Sequence, residues 1–245
     1  MSNQSNYIIK NNKKIADKVY EMILEGDTSK IKNSGQFINI QIEGLFLRRP
    51  ISICDYDETS ITIIYKAVGK GTVKMSQYHV GQELDCLVGL GNGFEINQGS
   101  KSSVLVGGGV GVPPMYHLAK QLVKNNINVK VVLGFTTKTD VFYEEEFKAL
   151  GVEVLISTND GSYGTQGYVT NILNDLDFDY YYSCGPQPML LSLLKYEANG
   201  QLSFEERMGC GFGACMGCSC KTITGYKRIC KEGPVLLSSE VLINE

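Results

Sequence analysis

Residues 103–126 read SVLVGGGVGVPPMYHLAKQLVKNN, and the order of residue types in this stretch sets the architecture of the second half of the chain. The apolar run Val104–Val106 has the composition of a buried strand. Glycines at 107, 108, 109 and 111 then permit a sharp turn. Pro113 and Pro114 suit the first turn of a helix, where no N–H is missed, and an amphipathic helix follows. Such a turn lets the backbone approach a pyrophosphate while the helix N-terminus supplies oriented N–H groups. Gly107, Gly108, Gly109, Gly111 and Pro113 are therefore candidates for nucleotide binding. The pattern departs from G-x-G-x-x-G: with Gly109 and Gly111 matched to the first two glycines, Pro114 takes the place of the last.

The alternation continues downstream. NVKVVLGF (128–135), VEVLIST (152–158) and DYYYSCG (179–185) read as strands; YEEEFKALG (143–151), TQGYVTNILND (165–175) and PQPMLLSLLKYEA (186–198) read as helices. Repeated β-α units imply a parallel sheet with helices on both faces. SCGPQPM (183–189) repeats the logic of strand end, glycine, proline and helix, which places Cys184, Gly185 and Pro186 at the same sheet edge as the first glycine turn. An inert buried thiol is the plainer alternative reading of Cys184. The acidic run 144–146 reads as a solvated helix start that suits the helix dipole.

The first 97 residues have a different texture. QFINIQIEGLFL (36–47), RRPISICDYD (48–57), SITIIYKAVGKGT (60–72) and GQELDCLVGLGNGF (81–94) are short apolar runs broken by turn residues, the pattern of a small antiparallel barrel. KIADKVYEMILEG (14–26) fits either period: Ile15, Val19 and Met22 keep helical spacing, while Tyr20, Met22 and Leu24 share a strand face. The expected divisions are 1–97, 98–202 and 203–245. With 23 Lys and Arg against 26 Asp and Glu, the chain has no basic excess for nucleic acid. The polar opening MSNQSNYIIKNNKK and the lack of an apolar run near about 18 residues point to a cytoplasmic protein away from membranes.

Eight cysteines in such a compartment do not suggest disulfides, and five of them fall after residue 209. Cys210, Cys215, Cys218 and Cys230 follow the plant-type [2Fe–2S] spacing, C-x4-C-x2-C with a more distant fourth. Glycines 209, 211, 213 and 217 give the loop the dihedral freedom to wrap a cluster. Four thiolates also suit structural zinc, although zinc sites more often show two separated C-x2-C pairs and only one is present. Cys220 falls outside the pattern and is expected to point away. The two histidines, His79 and His117, give little material for a hydrolase, and His117 reads as packing.

Taken together, RRPISI, YKAVGKGT, LGNGF, VGGGVGVPPM, DGSYGTQGYVT, SCGPQPM, CGFGACMGCSC and ICKEGPV resemble, in order and over essentially the whole chain, the electron-transfer subunits of class 1B dihydroorotate dehydrogenases, within the ferredoxin–NADP+ reductase superfamily. The resemblance implies an α+β multidomain protein: an FAD-binding antiparallel β-barrel, an NAD-binding α/β domain with a parallel sheet, and a small C-terminal [2Fe–2S] module. It implies Arg49, Pro50, Ile51 and Ser52 along the flavin, Arg49 near the pyrophosphate and Ser52 near the reactive ring edge. Ile64, Tyr65 and Lys66, then Gly71 and Thr72, are the other implied FAD positions. Many relatives stack a tyrosine on the flavin where this chain has Ile51, so no stacking is expected there. An FMN-containing catalytic partner in a heterotetramer and a role in pyrimidine biosynthesis are implied as well. An NAD(P)H–ferredoxin or sulfide reductase subunit is the alternative within the superfamily, and a zinc-stabilised nucleotide-binding module the alternative outside it.

Overall fold

The computed structural model describes residues 3–97 and 100–242. The expected division between 97 and 98 adjoins residues 98 and 99, which lie outside the described residues, as do the last three of the expected 203–245 module.

Six strands close into an antiparallel barrel: β1 (Gln4–Ala16), β2 (Val19–Glu25), β3 (Phe37–Ile40), β4 (Arg49–Tyr56), β5 (Ser60–Lys66) and β6 (Glu83–Leu90), in the order β1-β2-β5-β4-β3-β6 with β6 returning to β1. Closure leaves no strand edge unpaired. The ambiguous segment 14–26 resolves as a hairpin in which Ala16 faces Val19 across Asp17 and Lys18, with Lys18 at φ 56°. The strand period prevails because Met22 and Leu24 must fill the barrel core together with Ile38, Ile40, Ile61 and Ile63. β1 goes unsignalled in the polar opening of the chain. Its Asn12 donates to the carbonyls of Met75 and Tyr78, at 2.9 and 3.0 Å, and accepts from the Tyr65 hydroxyl at 2.8 Å, so the barrel pairs this polar group instead of excluding it. A short helix, α1 (Lys70–Met75), follows β5.

The second half forms a seven-stranded sheet from β7 (Ser102–Gly108), β8 (Asn128–Phe135), β9 (Glu153–Thr158), β10 (Thr165–Gln166), β11 (Tyr180–Cys184), β12 (Asn199–Ser203) and β15 (Val235–Leu237), in the order β10-β9-β8-β7-β11-β12-β15. All neighbours are parallel except β12 and β15. Helices α2 (Pro113–Lys124) and α3 (Glu144–Lys148) cover one face against Leu105, Val131 and Leu133; α4 (Val169–Leu173) and α5 (Gln187–Leu193) cover the other against Val104, Val106 and Val132. α4 starts later than its sequence suggests because Thr165 and Gln166 pair with β9. Glu144 departs from the solvated helix start: its carboxylate accepts from the Tyr163 hydroxyl at 3.0 Å and pairs with Lys148 at 2.8 Å.

The tail carries more structure than its sequence signals. β13 (Ser219–Thr222) and β14 (Gly225–Arg228) form a hairpin, and β15 returns the chain to the main sheet. Barrel and sheet share one apolar cluster in which Val19, Cys54 and Ile64 meet Val112, Met115 and Leu118. Polar ties cross the same junction. Asp55 of β4 accepts from His117 Nδ1 and Lys120 Nζ of α2, each at 2.7 Å, and the Tyr143 hydroxyl donates to Glu21 of β2 at 2.9 Å. His117, stacked on Tyr56 at 4.3 Å, is thus a packing residue. Among the described residues no helix is long and apolar enough to cross a membrane.

Candidate functional site

Strand order reverses at β7: β8 lies on one side and β11 on the other, so the loops leaving their C-terminal ends diverge and open a crevice. A cavity of about 680 Å³ fills it. Gly108 at the end of β7 lines it with Gly109 and Gly111 just beyond, Gly185 and Pro186 line it after β11, and Lys66 reaches it from the barrel. The two glycine–proline junctions touch: a Cβ on Gly108 would lie 2.7 Å from Met189 Sδ and 3.0 Å from Pro186 Cδ, so any larger residue would push Met189 and Pro186 aside. Gly109, at φ +52°, needs its freedom for the turn itself. Gly107 and Pro113 support the turn without lining the cavity; a Cβ on Gly107 would sit 2.9 Å from Val112 Cα. Cys184 also lies behind the lining, and burial pushes its thiol up to about 12, an inert group. Residues the motifs did not flag complete the wall: Thr136 after β8, Ser157 near the end of β9 and Asn159 just beyond it, Asp140, and Glu205. They sit at strand ends, and only the parallel topology brings those ends together.

On the barrel, Arg49, Pro50, Ile51 and Ser52 form the half-buried start of β4. Period two turns Ile51 and Ile53 toward the core and leaves Pro50 and Ser52 on the outer face. The Arg49 guanidinium lies against Gly71, where any side chain would displace it, and it donates to the carbonyls of Leu47 and Arg48. Thr72 is occupied within its own turn, accepting from the N–H groups of Val68 and Gly69 at 3.1 Å each. Ile64 and Tyr65 bury their side chains in the apolar clusters and pair with Glu21 and Tyr20 of β2. Lys66 pairs with Asp140 at 3.1 Å across the crevice.

The cysteine segment lies on the neighbouring strand of that face. β3 runs antiparallel to β4 with Phe37 opposite Ser52 and Asn39 opposite Pro50. Phe37 and Leu90 pack in one cluster with Cys218, Ile229 and Cys230. The sulfurs fall into two pairs. Cys210 Sγ accepts from the N–H groups of Ala214 at 3.2 Å and Cys215 at 3.4 Å, and Cys215 Sγ accepts from the Cys210 N–H at 3.4 Å. Cys218 Sγ accepts from the Cys230 N–H at 3.4 Å. Burial opposes ionisation of Cys210, but the N–H groups of Phe212, Cys215 and Ala214 outweigh it and bring the thiol down to about 6. Burial, with Cys218 beside it, pushes Cys230 up to about 12. Two sulfur pairs fed by backbone donors suit a two-iron centre that takes two thiolates per iron. Arg228 secures the loop, donating to the Gly213 carbonyl at 2.6 Å while it pairs with Glu232. Cys220 stays apart on β13.

Comparison with known proteins agrees with this geometry. Residues 205–242 match the iron–sulfur cluster binding domain of dihydroorotate dehydrogenase B, and residues 105–193 match the oxidoreductase NAD-binding domain. The dihydroorotate dehydrogenase B (NAD(+)) electron transfer subunit of Bacillus pumilus is 46% identical over 248 residues, covering 95% of this chain and 96% of its own length. Its counterpart from Fusobacterium nucleatum is 46% identical over 252 residues, covering 96% and 97%. Among solved structures, a chain of the NADH-dependent reduced ferredoxin–NADP oxidoreductase, a structure described in terms of flavin-based electron bifurcation, matches with a TM-score of 0.88 at 29% identity, covering 96% of this chain and 89% of that one. The ferredoxin reductase in carbazole 1,9a-dioxygenase, at 18% identity and a TM-score of 0.70, covering 78% and 64%, shares the fold. This chain belongs to the family of dihydroorotate dehydrogenase B (NAD(+)) electron transfer subunits.

Proposed function

We propose that the chain receives electrons from an FMN-containing dihydroorotate dehydrogenase subunit through a [2Fe–2S] cluster and FAD, and delivers them to NAD+ in pyrimidine (UMP) biosynthesis. One observation carries the reading: three candidate sites lie side by side, the crevice at the strand-order reversal, the outer face of β4, and the cysteine segment on adjacent β3. Gly108, Gly109, Gly111, Gly185 and Pro186 hold the nucleotide in the cavity, with Gly107, Pro113 and Cys184 behind them. Arg49 neutralises the flavin pyrophosphate, Pro50 to Ser52 lie along the ring, and the backbone of Ile64 to Lys66 with Gly71 and Thr72 completes the seat. Cys210, Cys215, Cys218 and Cys230 ligate the cluster.

Bound FAD and the cluster supply the exchange between a two-electron hydride and single electrons. The chain supplies distance and dryness. Residues directly opposite on antiparallel strands have Cβ atoms roughly 5 Å apart, so Ser52 neighbours Phe37, whose apolar cluster includes Cys218 and Cys230. Phe37 and Leu90 are buried in the same apolar cluster as Cys218 and Cys230, which makes the ground between the two sites apolar. Two copies of each subunit form the complex, in the cytoplasm. NAD is preferred to NADP because the turn after β8 brings Thr136 to the cavity, and its lysine, Lys138, is held over the Tyr163 ring at 5.6 Å.

Anaerobic NADH added to the purified protein is expected to bleach the flavin and then produce the cluster's EPR signal, and the specificity constant for dye reduction should be higher with NADH than with NADPH. A flavin that bleaches with no cluster signal would sink the electron path; a higher constant for NADPH would sink the cofactor preference.

A further inference from the structure

Asn39 is the one polar residue of β3, in the sequence Phe-Ile-Asn-Ile, and it is 1% exposed. It lies on the outer face, opposite Pro50, where the cysteine loop covers the barrel. Its Nδ2 donates to the Cys210 carbonyl at 3.4 Å, and the same atom fills the space that a Cβ on Gly211, at φ +80°, would need. Arg48, ion-paired with Asp85 at 2.9 Å, donates to the Asn39 carbonyl and braces this point of the strand. The Asn39 Oδ1 is buried with no partner among the described residues. An unpaired buried amide oxygen is costly, and an aliphatic side chain of similar size would avoid the cost. A polar side chain buried at such a cost between the two candidate redox sites calls for a role there.

We propose that Asn39 is the positioning residue of the flavin-to-cluster step: its amide fixes the Cys210–Gly211 stretch on the barrel face that carries Ser52, and so sets the environment of the cluster and its coupling to the flavin. The assignment rests on the reading of the cysteine segment and β4 as the cluster and flavin sites. Asn39 touches neither cofactor's reacting atoms; it acts through the backbone of Cys210. A second asparagine works beside it. Asn92, after β6, donates to the Val235 carbonyl at 2.7 Å and accepts from the Val235 N–H at 3.1 Å, which holds the far end of the module beyond Cys230. Asn92 fastens a backbone turn by ordinary paired bonds, whereas the Asn39 side chain reaches the backbone of a proposed cluster ligand.

The test compares Asn39→Leu and the isosteric Asn39→Asp with wild type as purified holoproteins. Aspartate keeps the shape but offers only acceptors to the Cys210 carbonyl. Both variants are expected to bind FAD and to reduce it with NADH at the wild-type rate. Both should show altered g-values in the EPR spectrum of the reduced cluster, and a ferrous chelator should strip the cluster roughly fivefold faster, the factor that loss of one neutral hydrogen bond delivers. Rapid mixing with NADH should show the flavin phase intact and the cluster phase slowed. Unchanged g-values and an unchanged cluster phase in Asn39→Asp would overturn the assignment alone. Wild-type protein with no NADH-reducible cluster would overturn the functional reading together with it.

Discussion

Cys220 differs from its four neighbours in what its sulfur meets. It pairs opposite Lys227 in the hairpin, and its S–H runs to the Lys221 carbonyl at 3.7 Å, whereas the sulfurs of Cys210, Cys215 and Cys218 accept backbone N–H groups. A thiolate that holds iron is stabilised by donors, and a thiol spent on a carbonyl is not. Serine at position 210, 215, 218 or 230 is therefore expected to abolish the cluster's EPR signal, and serine at 220 to leave it intact. Loss at 220 with retention at any one of the others would reverse the assignment. The cysteine pattern is legible in sequence because its spacing is local. Asn39 is not, because its partner Cys210 lies 171 positions away and nothing in the run QFINIQI announces it. Ser157 and Asn159 escape notice for a related reason: a polar residue at the end of a strand looks like any loop residue until topology gathers several such ends round one cavity.

At the level of elements, legibility follows burial pattern. β7 and α2 are readable because a fully apolar strand, a glycine turn and an amphipathic helix each carry their own signal. β15 is three residues long and exists only because β12 offers it an edge, so no periodicity could reveal it. The junction of β4 with α2 is likewise hidden, since Asp55 and His117 belong to segments that read as unrelated. Its energetics are testable. Burial alone would raise the pKa of Asp55, but the bonds from His117 and Lys120 outweigh it and hold the carboxyl below its usual value. A depressed carboxylate contributes stability that is complete above its unfolded pKa, about 3.9, and is lost as pH falls through the lower folded value. Asp55→Asn is expected to cost about 2 kcal/mol near neutral pH, the worth of a hydrogen bond to a charged group. The gap to wild type should narrow below about pH 3.9 as the wild-type carboxyl protonates. Urea unfolding at the two pH values measures it, and an undiminished gap in acid would show that the carboxylate's charge is not the source.

Considered whole, the molecule sets the cavity at the strand-order reversal, the outer face of β4 and the cysteine segment side by side, and its family is one of electron transfer subunits, a name that implies a separate catalytic subunit for oxidation of the organic substrate. The chain is therefore expected to depend on a partner for that chemistry. A one-electron donor must approach the cluster closely, and the loop between Cys210 and Cys218 presents Phe212 and Met216 at 54% and 55% exposure, two large apolar side chains where a solvated loop would carry polar ones. Aromatic and methionine side chains of this kind serve as anchors at interfaces. Purified alone, the protein should oxidise NADH with artificial acceptors and show no dihydroorotate oxidation, which should appear once the FMN-containing subunit is added. Phe212→Asp and Met216→Asp should each weaken that assembly by roughly tenfold or more, the effect of truncating an interface anchor. The rate with NADH and dye should not change, since the dye draws electrons without the partner. Dihydroorotate oxidation by the isolated chain would show that the substrate site lies within it, and assembly unaffected by both charged replacements would move the docking face away from the cysteine loop.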